Sequence, residues 1–278
     1  IINALMKKEF GLIGLGVMGK SLSRNLASKG FKMALFNRHV AGKEEHIARD
    51  FIAEFPEELA QAQGFDQLPD FVQALSSPRK IMLMVNAGAP TDAIIAELIP
   101  LLEPGDVLID GGNTHYKDTQ RRMDQLAKRG IHLIGSGVSG GEEGALKGPS
   151  IMPGGEQEAY QLVQPYLEKI AARDKNNGSC CAWIGKGGAG HFVKMVHNGI
   201  EYAEMQLLAE TYFLLRRTLG LNPDAIADAL EQWTRTSTNS YLLEITVQIL
   251  RKKENGTWLL DQILDAASNK GTGGWATA

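Results

Sequence analysis

The sequence is short of cysteine and proline, has no surplus of positive charge and contains no long apolar run. Cys180 and Cys181 are its only cysteines and stand side by side. Neighbouring cysteines rarely reach disulfide geometry with each other, so reduced thiols in a cytoplasmic protein are expected and a disulfide-stapled fold is excluded. Lys and Arg number 29 against 32 Asp and Glu, a net charge of −3. Without a global positive field, partners such as nucleic acid or an anionic membrane are not expected, and any anionic ligand must be held by a few local cations. No apolar stretch approaches the roughly 18 residues of a membrane span. Ile1 to Leu5 are too few for a signal-peptide core, and Lys7 and Lys8 follow them instead of preceding them. Met6 reads as the natural start behind a short leader.

Glycine is what the chain has in excess, at 31 of 278 residues against 10 prolines. That balance suggests backbone drawn close to ligands, not low complexity. At roughly 100 to 200 residues per domain the length suggests two domains. A content of 44% hydrophobic and 22% charged residues is that of a globular chain able to bury a sizeable core.

Along the chain, strand-like segments at Phe10–Ile13, Lys32–Phe36, Lys80–Val85, Val107–Asp110, His132–Ile134 and Cys180–Ile184 alternate with helical stretches at Lys20–Lys29, Ala93–Leu102, Lys117–Arg129 and Glu156–Ala172. This alternation predicts an α/β fold with a doubly wound, Rossmann-like parallel sheet. Beyond the glycine cluster Gly185 to Gly190 the strand signals stop. His191–Leu219 is one long helical pattern, Asn222-Pro223 caps a second helix to about Trp233, and Tyr241–Lys253 and Leu259–Ala267 read as a third and a short fourth. The expected division is therefore residues 1–185 as a nucleotide-binding domain and residues 186–278 as the start of an all-helical one.

Three local patterns point to chemistry. Gly14-Leu15-Gly16-Val17-Met18-Gly19 fits the dinucleotide fingerprint: it follows a strand and opens a helix, so its N–H groups can meet a pyrophosphate. About twenty residues on, where NAD sites place a carboxylate, stand Asn37-Arg38-His39. With no Asp or Glu in that window, and with Arg38 able to form charge-assisted bonds, NADP is the expected cofactor. The long helix carries Lys194, His197, Asn198, Glu201 and Tyr202 at i, i+3, i+4, i+7 and i+8, a polar stripe on an otherwise apolar helix. A stripe of acid, base and amide on such a helix suits a cleft wall. Zinc is a poor reading of His197 and Glu201, because no second cluster supplies further ligands. Asp110-Gly111-Gly112-Asn113, Ser139-Gly140-Gly141 and Lys270-Gly271-Thr272-Gly273 add turns suited to polar or anionic ligands.

These residues together resemble the 6-phosphogluconate dehydrogenase family from about Phe10 to Trp275. The most specific stretches are Asp110 to Thr114, Gly137 to Ala145 continuing to Gly155, Gly190 to Tyr202, and Asn269 to Gly273. The resemblance implies NADP-dependent oxidative decarboxylation of 6-phosphogluconate in a cytoplasmic homodimer. It implies Lys194 as general base and Glu201 as general acid. Asn113, Ser139, Gly140, Gly141, His197 and Asn198 would hold the sugar acid's carboxylate and hydroxyls, and Tyr202, Lys270 and Thr272 its phosphate. The cofactor would meet Gly14, Gly16, Val17, Met18, Gly19, Asn37, Arg38, His39, Val85, Asn86 and Asn113. A lysine base must be neutral, which requires desolvation to bring its pKa from about 10.4 toward about 7 to 8.

Several features depart from the family pattern. Asn86 stands where a lysine is common, Gly274 where a lysine often precedes the tryptophan, and Thr236-Ser237-Thr238-Asn239 fills a connection that usually contains glycine. Family members run well past Ala278, so the chain reads as C-terminally truncated. The rival readings are a related β-hydroxyacid dehydrogenase, against which Tyr202 and Lys270 to Gly273 argue, and a non-catalytic NADP-binding fragment.

Overall fold

The computed structural model describes residues 7–264 and Ala266. They fall into two compact units that divide between Lys194 and Met195.

The first unit is built on a seven-stranded sheet. Its strands are β1 (Phe10–Ile13), β2 (Met33–Phe36), β3 (Gln63–Phe65), β4 (Lys80–Leu83), β5 (Val107–Asp110), β6 (His132–Ser139) and β7 (Ser150–Gly154). The order across the sheet is β3-β2-β1-β4-β5-β6-β7. Every neighbouring pair is parallel except β6 with β7. The helices between strands are α1 (Val17–Ser28), α2 (Ile47–Glu54), α3 (Leu68–Gln73), α4 (Ala89–Leu98), α5 (Tyr116–Ala127), α6 (Gly141–Lys147) and α7 (Gln157–Ile170).

A parallel sheet covered on both faces favours strands that are apolar along nearly their whole length. All four residues of β1, of β2 and of β5 are buried. Successive side chains point to opposite faces, so two cores form. One joins Phe10, Leu12, Met33, Leu35, Val107 and Ile109 to Leu22 and Leu26 of α1 and Val163 and Leu167 of α7. The other joins Ile13, Ala34, Phe36 and Leu108 to Phe71 of α3, Ile95 and Leu98 of α4 and Leu126 of α5. The doubly wound expectation therefore holds, with one antiparallel edge.

The sequence reading differs from the structure in four places. Cys180–Ile184 is not a strand: it touches β7 only through isolated parallel bridges, Ile151 with Cys181 and Gly154 with Gly185. Ile151 N donates to Cys180 O at 2.9 Å and Ile184 N to Pro153 O at 2.8 Å, but Pro153 has no N–H with which to extend that ladder. The short strands β3 and β7 and the helices α2, α3 and α6 were not anticipated. Beyond α8 (Ala189–Arg217), α9 (Pro223–Trp233) and α10 (Tyr241–Arg251), the second unit is not all-helical, because Lys253–Glu254 and Thr257–Trp258 pair as a two-stranded ribbon. Of the expected fourth helix, Leu259–Ala267, the described residues form a 3₁₀ turn at Leu259–Gln262. Ile226, Leu230, Leu243, Val247 and Leu250 form this unit's core, with Leu208, Tyr212 and Leu215 of α8 packed on it.

Both cysteines are free. Burial pushes the Cys181 thiol up to about 12, so it stays protonated and unreactive. No helix among the described residues is long and apolar enough to cross a membrane.

One buried side chain ties three helices together. Asn25 of α1 is 1% exposed, and its Nδ2 donates to Ala145 O and Ile170 O at 3.0 Å each. These carbonyls lie in the last turns of α6 and α7, where helices leave acceptors without internal partners. Replacing Asn25 with Ala strands both, and urea unfolding should show a loss of about 2 kcal/mol or more. A change below about 0.5 kcal/mol would contradict this capping role.

Candidate active site

Loops at the C-terminal ends of parallel strands gather at the switch point between β1 and β4, where the strand order reverses and such sheets bind ligands. The turn after β1 is shaped by contact. Gly14 has a φ of +97°, and a Cβ there would stand 2.4 Å from Met84 O. A Cβ on Gly19 would stand 1.9 Å from Gly14 O, so the helix can start this close to the strand only without side chains. Gly16 differs, with nothing within 4 Å of its Cβ position. The first turn of α1 that follows has no acidic side chain, and its N-cap Gly16 provides no side-chain cap. Free N–H groups, the positive end of the helix dipole and open space beside Gly16 fit a dinucleotide pyrophosphate. Val17 is 60% exposed and Met18 half-buried at this mouth.

At the end of β2, Leu15 N donates to Asn37 Oδ1 at 3.0 Å, which ties Asn37 to the glycine loop. Arg38 and His39 are exposed. No acid stands in the Asn37-Arg38-His39 window, as expected, but Glu44 reaches it from outside. Its carboxylate accepts from Asn37 Nδ2 at 3.0 Å and from Arg38 Nη2 at 3.0 Å and Nε at 3.3 Å. Sequence reasoning missed it because the chain turns back at Gly42, bringing into contact residues too far apart to fall in the same window.

After β4, Val85 packs on the core while Asn86 is exposed, and the Asn86 carbonyl accepts from Thr91 Oγ1 at 2.9 Å. After β5, the carboxylate of Asp110 is fully buried. Gly112 N and Thr114 Oγ1 donate to it at 3.1 and 2.7 Å, which fixes the turn that carries the half-buried Asn113. Its counter-ion is Arg122 of α5, at 3.4 Å and 1% exposed. Arg122 also donates to Asp92 Oδ1 at 2.8 Å and to Gly88 O at 3.1 Å, joining the loops after β4 and β5. These bonds, Arg122's first, hold the Asp92 carboxyl below its ordinary range. Arg122 was not singled out from the sequence. The available signal was its place with Thr119 and Leu126, three buried residues at helical spacing along α5.

Ser139, half-buried, closes β6, and Gly140 and Gly141 follow, both exposed, with φ of +138° and +60°. The same strand receives the start of α8. Lys194 is 8% exposed, and a Cβ on Gly137 would lie 2.4 Å from Lys194 Cβ. His191, one turn earlier and 2% exposed, shares a 2.7 Å hydrogen bond with Thr119 Oγ1. Burial lowers its pKa, with nearby Asp110 working against this, so the imidazole is neutral at physiological pH.

Within the second unit, His197 Nδ1 lies 3.2 Å from Asn198 Oδ1 and 3.7 Å from Glu201 Oε2. Asn198 is buried, Glu201 half-buried and Tyr202 exposed. Lys270 and Thr272 lie outside the described residues.

A glycine-loop turn at the switch point of a Rossmann-like sheet, joined to a helical unit, defines a dinucleotide-binding protein with an appended domain. Two family models match the chain. The NAD binding domain of 6-phosphogluconate dehydrogenase covers residues 9–185, and the 6-phosphogluconate dehydrogenase C-terminal domain covers residues 190–278. The chain belongs to the 6-phosphogluconate dehydrogenase family.

Two relatives from Bacillus subtilis (strain 168) are named as decarboxylating 6-phosphogluconate dehydrogenases. The NADP(+)-dependent one is 52% identical over 275 residues and the NAD(+)-dependent one 50% over 276. Each match covers 98% of this chain but 57% of the relative, so the chain spans a little over half their length. The solved Plasmodium falciparum 6-phosphogluconate dehydrogenase, described in apo form and with NADP+ and 6-phosphogluconate, superposes with a TM-score of 0.88 at 39% identity, covering 97% of this chain and 57% of that one. A 3-hydroxyisobutyrate dehydrogenase from Salmonella typhimurium (TM-score 0.67, 21% identity, 87% of this chain and 78% of that one) shares the fold alone.

The Asp110–Arg122 pair gives a direct test. Arg122→Met leaves a buried carboxylate without its cation and should cost about 3–5 kcal/mol in urea unfolding. Adding Asp110→Asn to Arg122→Met should recover part of that loss. No recovery, or a loss below about 1 kcal/mol in the single variant, would show that the pair does not carry this load.

Proposed function

We propose that this chain forms the cofactor-binding and base-bearing part of an NADP-dependent enzyme that oxidatively decarboxylates 6-phosphogluconate to ribulose 5-phosphate and CO2. The observation that carries the reading is Lys194: a buried lysine seated against a glycine of β6, in the unit that also holds the glycine loop and the Asn113 and Ser139 turns. A lysine can take the hydroxyl proton only from its neutral form.

NADP held at the glycine loop would supply the acceptor for the hydride that leaves C3 of the sugar acid. Gly14, Gly16, Val17, Met18 and Gly19 would hold its pyrophosphate, Asn37, Arg38 and His39 its 2′-phosphate, and Val85, Asn86 and Asn113 would meet its nicotinamide half. Lys194 takes the proton of the C3 hydroxyl. The resulting β-keto acid loses CO2 once its ketone oxygen is stabilised, and the newly protonated Lys194 supplies the charge for that. Glu201 returns a proton to C1 of the enediol. Asn113, Ser139, Gly140, Gly141, His197 and Asn198 orient the carboxylate and hydroxyls, with Tyr202, Lys270 and Thr272 on the phosphate.

The domain division proposed is residues 1–185 for the cofactor and 186–278 for substrate and association, with the start of α8 up to Lys194 belonging to the first compact unit. Apolar side chains exposed along α8, Ile200, Leu207, Phe213 and Leu214, support a homodimer in which this helix is covered.

The reaction is followed by the rise of nicotinamide absorbance with NADP and 6-phosphogluconate, with NAD and 3-hydroxyisobutyrate in parallel. Turnover with the second pair alone would contradict the proposal. In a preparation that turns over the first pair, Lys194→Met should lower kcat by about 100-fold or more while NADP still binds. A residual rate within about tenfold of wild type would remove Lys194 from the base role.

A further inference from the structure

The adenosine end of the cofactor site holds an anion of its own. Val40 and Glu44 exchange backbone hydrogen bonds at 2.9 and 2.8 Å, closing a tight turn with Gly42 at a φ of +72°. The turn folds Glu44 back onto the end of β2. Its Oε2 accepts from Asn37 Nδ2 at 3.0 Å and Arg38 Nε at 3.3 Å, and its Oε1 from Arg38 Nη2 at 3.0 Å. The neighbouring Glu45 is engaged elsewhere, accepting from Gly42 N at 2.6 Å.

Two consequences follow from chemistry alone. A guanidinium fork takes a carboxylate or a phosphate in the same two-pronged way, so the two compete for Arg38. In NAD sites a carboxylate near the end of the second strand accepts from the ribose hydroxyls, whereas a 2′-phosphate needs cations there instead. Asn37 replaces that carboxylate in the chain, and Glu44, seven residues further on, brings one back to it. The contact lies at the surface, with the Arg38 side chain 74% and the Glu44 side chain 35% exposed. Such a pair is weak and easily parted, so a phosphate can displace it, but at reduced net affinity. Relatives of nearly equal similarity carry names for either cofactor, so overall identity does not decide the choice.

We propose that Glu44 is a specificity-determining residue of the cofactor site: it occupies the Asn37 and Arg38 donors, must leave them for NADP and can stay for NAD, and so narrows the preference for NADP. The proposal rests on the reading that Asn37 and Arg38 receive the 2′-phosphate. With Glu44 in place the chain should accept NAD more readily than Asn37-Arg38 alone implies.

The test is direct binding of NADP+ and NAD+ to the 278-residue chain by isothermal titration, comparing wild type with Glu44→Gln, Glu44→Ala and Arg38→Met. Both Glu44 variants should raise the ratio of NAD to NADP dissociation constants about tenfold, mainly through tighter NADP binding, with NAD binding equal or weaker. A ratio that moves by less than threefold, or moves toward NAD, in both variants overturns the proposal. Arg38→Met separates this from failure of the underlying reading. If that variant leaves NADP affinity unchanged, the phosphate is not held at Asn37 and Arg38, and the assignment of that subsite falls with the role of Glu44.

Discussion

The buried ion pair between Asp110 and Arg122 is the constraint around which the site loops of the first unit are arranged. A carboxylate at the end of a central strand, fully removed from water, is tolerable only when its lone pairs and its charge are all met. Thr114, Gly112 and Arg122 meet them. Because Arg122 also reaches Asp92 and the Gly88 carbonyl, satisfying one charge fixes two loops and the inner face of α5. Those loops carry Val85, Asn86 and Asn113. Their backbone is thus set by an electrostatic requirement of the core and not by their own sequence preferences.

Glycine supplies the second constraint, through close approach. At Gly14 and Gly19 it lets α1 begin almost on the strand that feeds it, leaving N–H groups open at Gly16. At Gly137 it lets α8 lie close enough to β6 for Lys194 to be buried at the sheet. At these three positions glycine therefore serves close packing of helix on strand at the C-terminal ends of the sheet.

Much of this was legible in the sequence, and the reasons for the rest are physical. The strands β1, β2, β4 and β5 announce themselves because strands buried on both faces are continuously apolar, and α8 because its polar stripe recurs at helical spacing. The edge strand β7 reads Ser-Ile-Met-Pro-Gly, which looks like a turn; an antiparallel edge tolerates proline where an interior strand does not. Cys180–Ile184 has the apolar look of a strand but only bridges to that edge. Buried Arg122 breaks the rule that charged residues face water, so its charge assigns it to the surface although its helical spacing places it with Thr119 and Leu126. Glu44 reaches Arg38 only through a turn, and contacts made that way are invisible to any fixed-spacing pattern.

In the proposed function the loops at the C-terminal ends of these strands form one cofactor platform, with its phosphate ends at Gly16 and at Asn37-Arg38. A crystal structure of the 278-residue chain with NADP+ tests it most directly. The account predicts the pyrophosphate over the N-terminus of α1, and the 2′-phosphate on Asn37 and Arg38 with Glu44 turned away. A nucleotide bound elsewhere, or one whose 2′-phosphate leaves the Arg38–Glu44 pair intact, would contradict it.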